Sequence, residues 1–183
     1  KYKNLNDFTN RVNPKDINKL QLEGMVKAGV FDSINVNRQA LFNSIPNIIL
    51  KSKKNYENKS INQIDLFKIN EEYENFLEDI KDWDIDIKLT KEFDTLGFYI
   101  SDHPVKYYKS IFKQYNIISY VDFESKNDII SSNIACTVLK VQEKKTQSGN
   151  SYGIIKFSDL SGVFELFIFS EIFELNRNIL KEG

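Results

Sequence analysis

The sequence predicts an α+β chain, helical through its first two thirds and strand-forming in the last third. Three observations carry that expectation. Apolar residues recur at helical spacing up to about residue 115. From about Asn133 the apolar period shortens to two, and two Gly-containing turn clusters divide that second pattern into three strands. The 183 residues, 41% of them hydrophobic, suffice for one large domain or two small ones, with material for more than one core.

Composition removes several classes. No stretch approaches eighteen consecutive apolar residues, so no transmembrane helix and no membrane partner are expected, and the N-terminus lacks a signal-peptide pattern. The single cysteine, Cys136, forbids an intrachain disulfide framework and points to a reducing cytoplasm. With one His and one Cys, a Cys/His zinc site is excluded. The net charge of −1 hides a segregated pattern. Residues 1–59 carry a net +6, residues 60–100 a net −7, and the remainder balances.

Element by element, Asn13-Pro14-Lys15-Asp16 reads as a helix start: an Asn cap, Pro in the first turn, then an acid. That helix should stop at Ala28-Gly29, where Gly29 can take the left-handed cap conformation. Asn35 or Asn37 caps a second helix with Leu41, Ile45, Ile48 and Ile49 on one face, kinked or broken at Pro46. Residues 52–70 read as a polar linker. Tyr73, Phe76, Leu77 and Ile80 form a helical stripe, and Leu89, Phe93, Leu96 and Ile100 another. Ser101-Asp102-His103-Pro104 restarts a helix with Val105, Tyr108, Phe112 and Tyr115 on one side. Strands follow at 134–141, 152–158 and 163–169, then a helix from Ser170 to Leu180 with Ile172, Phe173 and Leu175 as its apolar contacts. Three meandering strands and a helix are most of a small five-stranded OB-fold β-barrel, here incomplete. The expected organisation is a helix-hairpin-helix-like module over 1–54, an acidic linker and helix over 55–92, bridging helices over 93–128 and a truncated OB-fold over 129–183.

Several constellations bear on function. The stretch Leu22-Glu23-Gly24-Met25-Val26-Lys27-Ala28-Gly29-Val30-Phe31-Asp32 has the form of half a helix-hairpin-helix, whose turn N–H groups meet phosphates without reading sequence. Phe31 stands where the phosphate-binding form wants a second Gly, so packing is the preferred role. Asp84 and Asp86 invite a two-metal phosphoesterase reading, but no base, third ligand or glycine loop accompanies them, and no metal site or catalytic residue is assigned. His103 is read as a helix-start element, and Cys136 as a small core residue. In the last third, Lys144, Lys145 and Lys156 with Tyr152 mix cations with an aromatic, as single-strand binders require; Lys140, Phe164 and Phe167 extend that mixture. Finally, Gln63-Ile64-Asp65-Leu66-Phe67 places two adjacent large apolar residues in a charged segment, costly unless this protein's own helices or a partner covers them.

Taken together these segments resemble the catalytic α subunit of bacterial DNA polymerase III, C-terminal to its polymerase core. Leu22 through Asp32, then Asn37-Arg38, is similar to the second half of that family's tandem hairpin. Glu92-Phe93-Asp94-Thr95-Leu96-Gly97-Phe98-Tyr99-Ile100-Ser101-Asp102-His103-Pro104 resembles its Glu-x-x-x-Leu-Gly-x-Tyr-x-Ser-x-His-Pro segment, the most specific part of the likeness. Lys145-Thr146-Gln147-Ser148-Gly149 and Phe157-Ser158-Asp159-Leu160-Ser161-Gly162 resemble the first two turns of its OB domain. Residues 63–67 match its internal Gln-x-[Asp/Ser]-Leu-Phe motif. The resemblance implies a segment of a replicative DNA-directed DNA polymerase. Its partners would be a sliding clamp, single-stranded template, primer-template duplex and other holoenzyme subunits. The palm aspartates, the Mg²⁺ they bind and the first hairpin would lie outside this sequence, and no cofactor is expected within it. An OB-fold RNA-binding module of the anticodon-binding type is the alternative.

Overall fold

The computed structural model describes residues 1–60, 77–126 and 128–183, so Tyr73 and Phe76 lie outside the described residues. Its contacts divide the chain into two compact units, Lys1–Lys91 and Glu92–Gly183.

The first unit opens with a helix absent from the sequence reading, α1 (Leu5–Arg11), capped by the Asn4 side chain on the Asp7 N–H. The next helix does not start at Asn13-Pro14. That segment is a turn, in which Asn13 Oδ1 and O accept from the N–H groups of Lys15 and Asp16. α2 is Lys19–Lys27, started by a capping box in which Asn18 and Gln21 satisfy each other's backbone N–H groups. The reciprocal pair covers two orphan donors, which outweighs Asn13-Pro14. α2 ends where expected, with Gly29 at φ 75°. α3 (Arg38–Asn43) is capped by Asn37 Oδ1 on the Ala40 N–H. The chain breaks at Ser44, so Pro46 falls in the first turn of α4 (Ile45–Ser60). α4 continues through residues read as linker, because the buried Ser52 hydroxyl donates back to the Ile48 carbonyl at 2.8 Å and hides its polarity. Leu5, Phe8, Leu22, Val26, Phe31, Leu41, Ile45 and Ile48 form the core, with Phe8 edge-on to Phe31 at 5.1 Å. Residues 77–84 are irregular, correcting the helical stripe through Leu77 and Ile80. Leu77 still packs on the core, while the backbone about it serves α3 instead of itself: the Ile80 carbonyl accepts from Asn37 Nδ2 at 2.6 Å. α5 (Ile85–Leu96) follows, residues 85–91 in this unit and 92–96 in the next.

The second unit continues from α5 through Gly97, at φ 75°. His103 caps a 3₁₀ helix, Pro104–Ile111, where an α-helix was expected. Of its anticipated apolar face Val105 is buried, whereas Tyr108 and Tyr115 are exposed. A second unforeseen helix, α6 (Tyr120–Ser125), is capped by Ser119. Strands β1 (Thr137–Lys145), β2 (Ser151–Ser158) and β3 (Val163–Ile168) form an antiparallel sheet in the order β1-β2-β3, bulged between Val138 and Lys140. α7 (Ser170–Asn176) closes one face. It buries Phe173 but leaves Ile172 and Leu175 exposed, correcting two of its three expected contacts. Gly153 explains the choice, since a Cβ there would stand 2.6 Å from Phe173 Cδ2: the missing side chain is the space the ring fills. Ile155, Phe157, Phe164 and Phe173 form this core, and Cys136 packs against it. Helices and an open three-stranded sheet give the α+β class expected, with the sheet as the incomplete part of a barrel. Among the described residues, no helix is long and apolar enough to cross a membrane.

Candidate nucleic-acid interface

The motif at Gln63, Ile64, Asp65, Leu66 and Phe67 lies outside the described residues. The other sequence-derived sites are placed.

In the hairpin, three of the turn donors are committed to the chain's own carbonyls. The N–H groups of Gly29, Val30 and Asp32 donate to the carbonyls of Val26, Met25 and Gly29 at 3.0–3.1 Å. Arg38, 2% exposed, holds the loop from α3: Nε and Nη2 bond Asp32 Oδ1 and Oδ2 at 2.9 and 2.6 Å, and Nη1 donates to the Lys27 carbonyl. The start of α3 already faces an acid of this chain, since Asp82 Oδ1 accepts the Gln39 N–H at 3.2 Å and the Trp83 N–H at 2.8 Å. Burial raises the Asp82 carboxyl, but Lys88 and these N–H groups more than offset it and hold it below its usual value. Three of the turn's N–H groups are thus spent on its own carbonyls, and its second helix faces a carboxylate of the same chain.

The sheet tells a different story. Directly opposite residues in an antiparallel pair share a face, and neighbours along a strand alternate. Lys144 stands opposite Tyr152, Gln142 opposite Ile154, and Lys140 opposite Lys156, while on the other side of β2 Ile154 stands opposite Phe167 and Lys156 opposite Glu165. One face therefore carries Lys140, Gln142, Lys144, Lys156, Tyr152 and Phe167, the last 64% exposed, together with the acid Glu165. Lys145, expected in this group, pairs with Ser151 and falls on the other face, because one residue along a strand reverses direction. Phe164 also leaves the set: it is buried and stacks on Tyr120 at 4.0 Å. Gln142 was invisible to composition and needs the β1–β2 register to be found.

The Glu-x-x-x-Leu-Gly block is a clasp. Glu92, fully buried, accepts the N–H groups of Ile100 and Ser101 at 2.9 and 3.0 Å, and the Ser101 hydroxyl. Tyr99 stacks on Phe93 and meets His103 edge-on. His103 Nδ1 accepts the Val105 N–H at 3.2 Å, the helix-start role expected of it, and Nε2 lies 3.0 Å from Ser158 Oγ on β2. Burial lowers its imidazole, against Asp159 and Asp102, which raise it. Burial likewise pushes the Cys136 thiol up to about 11, so it stays protonated. Asp84 pairs with Lys81 at 2.7 Å, and no group of three His, Cys, Asp or Glu side chains stands together among the described residues.

The first unit is thus a helical hairpin module, and residues 1–41 match the family model of the helix-hairpin-helix motif. The whole chain also aligns with DNA polymerase III subunit alpha: 32% identity with that of Borreliella burgdorferi over all of this chain, 32% with Rickettsia bellii over 93% and 30% with Campylobacter jejuni over 99%. The chain belongs to the DNA polymerase III alpha-subunit family, and spans 15–16% of the length of these curated relatives.

Proposed function

We propose that this chain is the segment of a replicative DNA-directed DNA polymerase that binds the sliding clamp through Gln63-Ile64-Asp65-Leu66-Phe67 and handles single-stranded template on the sheet. The observation that carries the reading is the end-to-end similarity to DNA polymerase III subunit alpha. In the motif, the Gln63 amide offers a donor and an acceptor to backbone groups at a pocket rim. Leu66 and Phe67 supply roughly 1.5–3 kcal/mol each when fully desolvated. Such a tether raises the effective concentration of the enzyme at the primer end without a new DNA contact. On the sheet, Lys140 and Lys156 stand directly opposite each other, with Glu165 across from Lys156 on its other side, beside exposed Phe167 on which a base can stack. Nucleotidyl transfer and its Mg²⁺ belong in this reading to parts of the polymerase beyond these residues, as do its further holoenzyme partners.

The test is the Leu66→Ala/Phe67→Ala variant of the whole chain, measured for sliding-clamp affinity and for its thermal melt. Clamp binding should vanish with the melt unchanged. A lowered melt with clamp affinity intact makes the pair internal packing and defeats the assignment. Preference of the sheet for tRNA over oligo-dT would replace template handling by the anticodon-type alternative.

A further inference from the structure

We infer that Lys27, Phe42, Trp83 and Lys91 form a second contact for single-stranded nucleic acid, on the first unit and independent of the sheet face. The four residues come from the end of α2, from α3, from the segment before α5 and from α5. Phe42 and Trp83 lie 5.4 Å apart, tilted by 56°, and both remain partly exposed. Two ammonium groups flank the pair: Lys27 Nζ is 5.6 Å from the Phe42 ring, and Lys91 Nζ is 5.7 Å from Phe42 and 4.5 Å from Trp83.

Charge decides what the patch takes. Asp82, beside Trp83, is engaged with Lys88, Asp84 with Lys81, Glu23 with Lys19 and Asp32 with Arg38, and no ion pair to Lys27 or Lys91 is formed among the described residues. The patch thus presents two cations, and its ligand is anionic. An acidic peptide would satisfy the lysines but leave the rings unused. A nucleotide carries both elements in one unit, a phosphate for the ammonium groups and a base for the aromatic pair. A lone ammonium over a partly exposed ring is a weak contact, weaker than base–aromatic stacking. Lys91 can therefore leave the Trp83 face for a phosphate while a base takes its place. A duplex, whose bases are stacked on each other, offers only the phosphates.

Trp83 is the one tryptophan of the chain, so its emission reports this patch. Oligo-dT titrated into the whole chain should quench it saturably. Lys27→Ala/Lys91→Ala should weaken that transition about tenfold and lower its salt slope by roughly 0.7 per lost phosphate contact. Lys140→Ala/Lys144→Ala/Lys156→Ala should leave it in place, which separates this contact from the sheet. The inference fails if oligo-dT does not change Trp83 emission, or if the double variant titrates like the parent. It also fails if polyglutamate or duplex DNA quenches with equal affinity.

Discussion

Gly29→Ala is the most demanding test of how the hairpin is held. At φ 75° an L-residue enters the left-handed region at a cost of about 1–2 kcal/mol. The new Cβ would also stand 2.7 Å from Arg38 Cζ and 2.9 Å from Asp32 Oδ2. The guanidinium must then leave its fork on Asp32. Asp32 is 41% exposed, so water screens that loss, and about 1–2 kcal/mol is a discounted value for it. The total is about 2–4 kcal/mol, or roughly 10–25 °C in the melting point of a unit this size. Trp83 lies in the same unit, so urea unfolding followed by its emission gives the number. An Arg38→Ala background isolates the cause: with the guanidinium gone, Gly29→Ala should cost only the backbone strain and a small shift of the exposed Asp32 carboxylate. Equal costs in both backgrounds, or less than about 0.5 kcal/mol in the parent, would refute the account.

Further outcomes follow from the second unit. The depressed His103 value means that its stabilisation is whole above about pH 6.5 and is lost as pH falls below that toward the folded value; the melting point should decline there in the parent but not in His103→Asn, which keeps a cap acceptor without the titration. Phe173→Ala should cost about 3–5 kcal/mol by chemical denaturation, since the ring is buried and Gly153 cannot fill the void; a cost below 1 kcal/mol would remove α7 from the core. Lys145→Ala should leave the salt slope of oligo-dT binding to the sheet unchanged while Lys144→Ala lowers it by roughly 0.7, and equal slopes would undo the register argument.

How much of this was legible in the sequence depends on the range of each interaction. β2 and β3 were readable because period-two alternation and short Gly turns are local. The end of α2 was readable because Gly29 marks it alone, and the α3 cap because Asn37 meets Ala40 three residues on. α1 was missed because two turns carrying Leu5 and Phe8 make too short a pattern. The start of α2 was misplaced because a strong local signal, Asn-Pro, lost to a stronger one, the Asn18–Gln21 box. On the candidate surfaces, composition found the lysines, but only the strand register divides Lys144 from Lys145. The Lys27–Phe42–Trp83–Lys91 patch joins distant segments, and no local signal announces it.

The strap between residues 80–82 and α3 has a consequence for biosynthesis. Asn37 and Gln39 take their partners, Ile80 and Asp82, from 43 residues downstream. A ribosome adding 5–20 residues per second needs about 2–9 s to supply them. Through that interval the start of α3 keeps its local Asn37 cap but lacks these two long-range hydrogen bonds, and the pair lacks Leu77 against its core. A piece ending near residue 54 would hold the hairpin permanently at that stage. One ending at Lys91 carries the strap, Trp83 and Lys88 with it, and supplies both partners of the start of α3 together with Leu77.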